Sequence, residues 1–271
     1  MLYFISSPIG NLNDISLRAI DVIRSSDYLY AEDTRTTKKL LNFIDCKKRC
    51  KSFHEHNEDI VSKEIIRYIK DNKVVSILSD AGTPAVSDPG YKLIRECYKS
   101  SINYTLIPGP SSVISALVMS GLPTDKFTFY GFIPKKINEQ KICFEALQNE
   151  DKTAIFFESP RRIEKTIEHL EKFLNPKRQI VICKEMTKLH EQILRDDLSK
   201  ILLRIQKNDI TLKGEMVLVI EGSRKKNIKL SLDANIKREF LKKMSVSDAS
   251  KLISLITGKN KRDIYKYLIE I

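Results

Sequence analysis

The run Ser79-Asp80-Ala81-Gly82-Thr83-Pro84-Ala85-Val86-Ser87-Asp88-Pro89-Gly90 has the composition of a loop that holds a ligand. Gly82 and Gly90 let backbone approach a bound molecule closely, and Pro84 and Pro89 stiffen the chain between them. The run follows Val74-Val75-Ser76-Ile77-Leu78, a short apolar stretch that reads as a buried strand. Open α/β sheets place their ligands at the carboxyl ends of such strands, although a plain strand-to-helix turn has a similar composition. A second chemical corner is Glu32-Asp33-Thr34-Arg35, which closes the predicted strand Tyr28-Leu29-Tyr30-Ala31. Its carboxylates suit proton transfer, or a structural ion pair with Arg35.

Other elements repeat the arrangement. Leu2-Tyr3-Phe4-Ile5-Ser6 reads as a strand, Ser7-Pro8-Ile9-Gly10-Asn11-Leu12 as a tight loop, and residues 14–23 as a capped helix. Tyr104-Thr105-Leu106-Ile107 gives way to Pro108-Gly109-Pro110-Ser111-Ser112 and an apolar helix through Met119. Parallel strands would gather these loops at one edge of one sheet. Residues 1–118 hold four strands alternating with helices, which predicts a parallel α/β domain. Ser120-Gly121-Leu122-Pro123-Thr124-Asp125 is rich in breakers and reads as a linker. Residues 119–222 then form a second α/β domain with strands at 127–130, 153–157, 179–183 and 216–220. The helix after Pro160 sets Ile163, Ile167, Leu170 and Leu174 on one face. Beyond Gly222 comes a basic connector, Ser223-Arg224-Lys225-Lys226. The tail, residues 233–271, reads as three short helices with Ala249, Leu252, Ile253 and Ile256 on a core face.

The chain has 271 residues, enough for two domains with real cores. Its formal net charge of +12 favours polyanionic partners, although abundant Lys alone would also produce it. No apolar run approaches the ~18 residues of a membrane span. The first residues already read as a strand rather than a signal peptide, so the expected compartment is the cytoplasm, with no membrane partner. Five cysteines, without framework spacing, suit reduced thiols. Cys46, Cys50, His54 and His56 could be taken for zinc ligands. The His-x-His spacing and the intervening Lys47, Lys48, Arg49 and Lys51 argue instead for a solvated surface, and no metal is expected. The glycine fingerprint of dinucleotide folds, the Walker phosphate loop and the hydrolase serine elbow are all missing. A standard nucleotide cradle is therefore not expected.

These blocks resemble the RsmI family of ribosomal RNA 2'-O-methyltransferases, within the tetrapyrrole-methylase superfamily. The resemblance rests on Ser7 through Leu12 with Asp14-Ile15-Ser16, on Glu32 through Arg35, and on Ser79 through Gly90. It continues through Pro108-Gly109-Pro110-Ser111-Ser112, Ser120-Gly121-Leu122-Pro123, Gly131-Phe132-Ile133-Pro134-Lys135 and Glu158-Ser159-Pro160-Arg161-Arg162. The last block is Lys184-Glu185-Met186-Thr187-Lys188 with His190-Glu191. The blocks occur in family order and run to about residue 222.

The resemblance implies two α/β domains of the tetrapyrrole-methylase type, a cleft between them for S-adenosylmethionine, and a small C-terminal helical extension. By alignment the cofactor would meet Pro8, Ile9, Gly82, Thr83, Pro84, Val86, Ser111, Ser112, Phe157, Met186 and Glu215. Thr83 stands where the wider superfamily carries Asp, which weakens any charge pairing with the cofactor's amino group. The implied reaction is in-line methyl transfer to the 2'-hydroxyl of a decoding-site cytidine in 16S ribosomal RNA, within the small ribosomal subunit. Positioning would supply much of the rate. Candidates for a general base are Glu32, Asp33, Asp80, Glu158 and Glu185, and Lys184 could lower the alcohol's pKa. Arg35, Lys38, Lys39, Arg161, Arg162 and Lys188 are candidate RNA phosphate contacts. A homodimer is implied as well. Two other readings stay open: a small-molecule methylase of the tetrapyrrole kind, and a non-catalytic RNA-binding factor on the same fold.

Overall fold

Five parallel strands carry the loops picked out above. They are β1 (Leu2–Ile5), β2 (Tyr28–Ala31), β3 (Cys50–Ser52), β4 (Val75–Leu78) and β5 (Tyr104–Ile107), in the order β3-β2-β4-β1-β5. Every neighbouring pair is parallel. The strand ends therefore face one way, and the loops after β1, β2, β4 and β5 share one edge of the sheet. The coordinates are a computed structural model that describes residues 1–223, 234–257 and 260–269. Residues 224–226 of the basic connector and residue 233 lie outside the described residues.

One helix follows each strand: α1 (Leu17–Ser25), α2 (Thr34–Phe43), α3 (Glu58–Lys70), α4 (Tyr91–Lys99) and α5 (Ser112–Ser120). Side-chain alternation along the strands feeds two cores. Ile5, Leu29, Ala31, Leu78 and Ile107 pack with Ala19 and Ile23 of α1 and with Leu40 and Leu41 of α2. Leu2, Phe4, Tyr30, Val75 and Ile77 pack on the other face with Ile65 of α3 and with Leu93 and Cys97 of α4. The fifth strand, β3, escapes the sequence reading because Cys50-Lys51-Ser52 is short, polar and at a sheet edge. Helix α1 starts at Leu17 rather than at residue 14, because the Ser16 side chain accepts from Ala19 N at 3.1 Å and sets the N-cap. Residues Leu12–Asp14 form a separate 3₁₀ turn capped by Asn11.

A second sheet follows, built from β6 (Phe127–Phe132), β7 (Thr153–Glu158), β8 (Gln179–Lys184), β9 (Gln192–Asp197) and β10 (Met216–Ile220), in the order β6-β7-β10-β8-β9. It is mixed. β6 runs parallel to β7, whereas β10 pairs antiparallel with both β7 and β8. β9, absent from the sequence reading, pairs antiparallel with β8; its Arg195-Asp196-Asp197 end hides the strand pattern. Helices α6 (Ile137–Asn149), α7 (Ile163–Glu171) and α8 (Leu198–Gln206) complete this part. Ile163, Ile167, Leu170 and Leu174 are all buried against one face, as the spacing predicts, together with Phe144, Ile201 and Leu218.

The opposite face of the second sheet is covered by α5. Val113, Ala116 and Leu117 pack on Ile155, Val181, Cys183, Val217 and Val219, joined by Ile9 and Met186. The helix grows out of the first sheet and seals the second, so the two sheets face each other across its amino end. Residues Met1–Ser223 form one compact unit and Arg224–Ile271 a second. The second unit contains α9 (Ala234–Lys243), α10 (Val246–Thr257) and α11 (Lys261–Ile269). Its core holds Ala249 and Ile253 with Ile264 and Leu268, whereas Leu252 and Ile256 are exposed. α11, with Phe240 of α9 and Met244, covers only part of α10, so half of the predicted face stays in solvent. Among the described residues, no helix is long and apolar enough to cross a membrane.

Ala116 is fully buried, and its carbonyl lies 3.7 Å from Cys183 Sγ. Ala116→Leu should overpack this seam and cost about 1–3 kcal/mol. We expect a lower thermal midpoint in calorimetry, together with weakened ligand binding in the cleft that α5 borders. A variant as stable as the wild type would show that the seam is loosely packed.

Candidate functional site

The loops after β1 and β4 are tied together by backbone. Ser7 N donates to Gly82 O at 2.8 Å, and Gly82 N donates to Ser7 O at 2.9 Å. Ser79 Oγ also donates to Gly82 O, at 2.5 Å. Gly82 sits at φ +77, a conformation that side chains disfavour, although a Cβ there would meet nothing nearer than Ile9 Cγ2 at 3.6 Å. Its requirement is therefore conformational rather than steric. The far end of the loop is pinned by Glu58, a buried carboxylate that accepts from Gly90 N at 3.1 Å and Lys92 N at 3.0 Å. That carboxylate neutralises the amino end of α4.

The first loop also reaches the second sheet. A Cβ on Gly10 would lie 2.6 Å from Lys188 Cγ and from Thr187 Oγ1, so only glycine fits. Asn11 N donates to Thr187 Oγ1 at 3.0 Å across this contact. Ala85 and Ser87 in one loop, and Glu185 and Thr187 in the other, are non-glycine residues at positive φ. Each costs of order 1–3 kcal/mol, and such outliers cluster where a site needs a particular backbone shape.

Between the sheets these loops enclose a cleft of about 620 Å³. Ile9, Val86, Val113, Ile114, Phe129, Phe132, Phe157, Met186 and Val217 make its apolar walls. Phe157 holds the aromatic wall together, with edge contacts to Phe129 at 4.9 Å and Phe132 at 5.3 Å between ring centroids. The polar lining includes Thr83, Ser87, Ser111 and Ser112, with Glu158 and Glu215 and with the carboxylates of Glu32, Asp80 and Asp88. Burial raises the last three carboxyls above their ordinary values. Asp88 is pushed up to about 7, by burial and then by the charges of Glu32 and Asp80. Asp80 also accepts from Asp33 N at 2.9 Å, which joins the second corner to the first.

The residues expected at the cofactor therefore lie together. All except Pro8 and Pro84 line the cleft; those two are buried in the loops behind it. Asp88, Ser87, Phe129 and Phe132 also line it, though no motif singled them out individually. For Asp88 the available signal was a carboxylate between Ser87 and Pro89 in a loop already marked for binding.

The candidate proton-transfer residues divide. Glu32 and Asp80 open on the cleft. Asp33 is the N-cap of α2, accepting from Arg35 N at 2.8 Å and from the Arg35 guanidinium. Hydrogen bonds from Arg35 hold its carboxyl down at about 2. Glu158 lines the cleft but is committed elsewhere: it accepts from Ser159 N and Thr166 Oγ1, each at 2.7 Å, with Arg162 Nη2 at 3.3 Å. Glu185 accepts from Glu215 N at 2.8 Å and Lys188 Nζ at 2.9 Å; the Glu215 backbone bond leads in holding its pKa low. Lys184 is buried in register with Met216, on the face of the sheet that packs α6, α7 and α8.

The candidate RNA contacts divide too. Arg162 donates to the carbonyls of Ile133 and Pro134 at 3.0 and 2.8 Å, and Lys188 pairs with Glu185 and Glu215. Arg35 is tied to Asp33 yet remains in solvent. Lys38, Lys39 and Arg161 are exposed. All five cysteines are free. Among the described residues, no group of three or more His, Cys, Asp or Glu side chains is placed to hold a metal ion.

Comparison with known proteins gives the chain its family. The family model for tetrapyrrole (corrin/porphyrin) methylases matches residues 1–202. A Halalkalibacterium halodurans protein named ribosomal RNA small subunit methyltransferase I is 36% identical over 97% of this chain and 93% of its own length. A protein of the same name from Escherichia coli O157:H7 is 35% identical over 99% and 94%. Another from Thermotoga maritima is 40% identical over 82% and 98%. Among solved structures, uroporphyrin-III-C-methyltransferase from Thermus thermophilus is similar with a TM-score of 0.57 at 16% identity, covering 81% of this chain and 93% of that one. A diphthine synthase reaches 0.61 at 16% identity, covering 81% and 89%. The structural likenesses speak to fold alone.

Gly82→Val should test the placement of the cleft. A branched residue at φ +77 is strained and would push side-chain atoms towards Ile9 and Ser111. We expect a folded protein by circular dichroism whose affinity for S-adenosylmethionine falls below detection in calorimetry. Wild-type affinity would move the cofactor site elsewhere.

Proposed function

Because this chain belongs to the family of ribosomal RNA small subunit methyltransferase I, within the tetrapyrrole (corrin/porphyrin) methylases, we propose that it methylates 16S ribosomal RNA. The proposed target is the ribose 2'-oxygen of a decoding-site cytidine, presented on the small ribosomal subunit. One arrangement carries this reading: apolar walls and three crowded carboxylates meet in one cofactor-sized cleft. The substrate class follows from the names of the relatives.

The cleft fits S-adenosylmethionine. The loop that Gly82 shapes brings backbone close to the cleft, and Ser111 and Ser112 offer hydroxyls. The aromatic wall suits a flat ring, and the carboxylates suit a cation. Bound there, the cofactor would supply a methyl group activated by its sulfonium charge. The protein's own task is to hold the incoming alcohol, exclude water and take its proton. Asp88 is the proposed proton acceptor, with Glu32 and Asp80 raising its affinity for the proton. Asp33, Glu158 and Glu185 serve better as structural carboxylates, given their partners. We place the activity in the cytoplasm, where free thiols such as these persist.

The test is methyl transfer from labelled S-adenosylmethionine to isolated small subunits, naked ribosomal RNA and a porphyrinogen. Label should reach the ribose of a cytidine on the subunit. Label on the tetrapyrrole alone would favour a small-molecule methylase, and cofactor binding without transfer would favour a non-catalytic factor. The proton acceptor must be ionised, so the rate should climb as pH rises through about 7. Asp88→Asn should remove that limb and slow transfer by roughly 10²-fold or more. An unchanged pH profile would assign the proton to another group.

We propose further that two copies pair through β5 and α5. Strand β5 is a sheet edge, and its Tyr104 and Leu106 remain exposed, as do Ile114 and Val118 one turn apart on α5. A second copy would cover this apolar edge by twofold symmetry. Sedimentation should show a dimer at micromolar concentration, with Val118→Glu shifting it to monomer. A wild-type monomer would overturn the pairing.

A further inference from the structure

A second hollow, of about 510 Å³, opens beside the cleft. Ser159, Pro160 and Gly214 line both, and the second is completed by Arg161, Leu212 and Lys213. Charge around it is unbalanced. The segments 158–162, 184–188 and 212–215 carry Glu158, Glu185 and Glu215 against Arg161, Arg162, Lys184, Lys188 and Lys213. The three carboxylates already have cations. Arg162 lies 3.3 Å from Glu158, and Lys188 bridges Glu185 and Glu215 at 2.9 and 3.1 Å. Lys184 is buried in the sheet. That leaves Arg161 and Lys213, both exposed and without a side-chain partner among the described residues.

We propose that this hollow seats a backbone phosphate of the RNA strand, next to the ribose offered to the cleft. The inference rests on the RNA reading above and goes beyond it by naming the groove and Lys213. A guanidinium can grip two phosphate oxygens, and an ammonium adds a point charge. The shared wall matters. A strand held here has its neighbouring nucleotide at the cleft mouth, so binding and orientation come from one contact. The amino end of α7 offers an anion little, because the Glu158 carboxylate already sits against its first turn through Thr166 Oγ1 at 2.7 Å.

The experiment measures binding of small-subunit ribosomal RNA across a salt series, for wild type, Arg161→Ala, Lys213→Ala and a control, Lys70→Ala. Lys70 is exposed at the carboxyl end of α3, near the start of β4 and so at the edge of the first sheet away from the cleft. Losing one phosphate contact should flatten the slope of log affinity on log salt by about 0.7 on single strands and 0.9 on duplex. At 0.1 M salt that amounts to about a five- to eightfold loss per variant. The control should keep the wild-type slope, and S-adenosylmethionine affinity should hold in all three variants. Unchanged slopes in Arg161→Ala and Lys213→Ala, with wild-type RNA binding intact, would overturn the hollow but not the proposed activity. Loss of cofactor affinity in either variant would also overturn it, by assigning the anion to the cofactor. A wild type with no salt-dependent RNA binding would sink the RNA reading and this proposal together.

Discussion

The cleft depends on two backbone hydrogen bonds, Ser7 to Gly82 and back again, at 2.8 and 2.9 Å. They close a bridge between loops that follow β1 and β4, which are adjacent in the sheet. Without the bridge, each loop would be an ordinary strand-to-helix turn with a solvated backbone. With it, Gly82 is held at φ +77 and Ile9 is turned into the second sheet's core. Gly10 then lies against Thr187 and Lys188, so the strained loop 185–188 inherits its position from the same contact. Two sheets with separate hydrogen-bond ladders become one walled space through a few backbone groups and helix α5.

Electrostatics divides that space by commitment. Carboxylates that meet a guanidinium, an ammonium or backbone donors stay charged and structural, as Asp33 and Glu185 do. Carboxylates for which burial and neighbouring carboxylates outweigh any donor are pushed towards the neutral form, as Glu32, Asp80 and Asp88 are. The second group stores unfavourable energy that a bound cation or a transferred proton would release. The cations divide in the same way. Arg162 and Lys188 hold loops in place, whereas Arg161, Lys38 and Lys39 face solvent. The surface cations are worth little for stability, since exposed pairs contribute at most about 1 kcal/mol.

Much of the fold was legible because its signals are local. Apolar runs followed by Gly/Pro loops marked β1, β4 and β5, and a charged corner marked the end of β2. Helix α7 showed its buried face at Ile163, Ile167, Leu170 and Leu174. The strands that went unseen were those whose stability is borrowed. β3 is three residues at a sheet edge, and β9 ends in Arg195-Asp196-Asp197. Each is held by its neighbour's ladder rather than by an apolar pattern of its own.

The sequence by itself determined the parallel first sheet and the loops at its carboxyl edge, which follow from residue types and spacing along the chain. Its resemblance to a known family supplied the expected cofactor neighbours, most of which line the cleft. Tertiary structure alone decided which charged residues are available. Arg161 and Arg162 are adjacent in sequence, yet one faces solvent and the other donates to Ile133 O and Pro134 O. Asp33 and Asp88 are both loop carboxylates, yet one is held near 2 and the other near 7. Asp33 meets Arg35 two residues on, whereas the groups that act on Arg162 and Asp88 lie far off along the chain, so a side chain's charge and reach are set by what surrounds it in space.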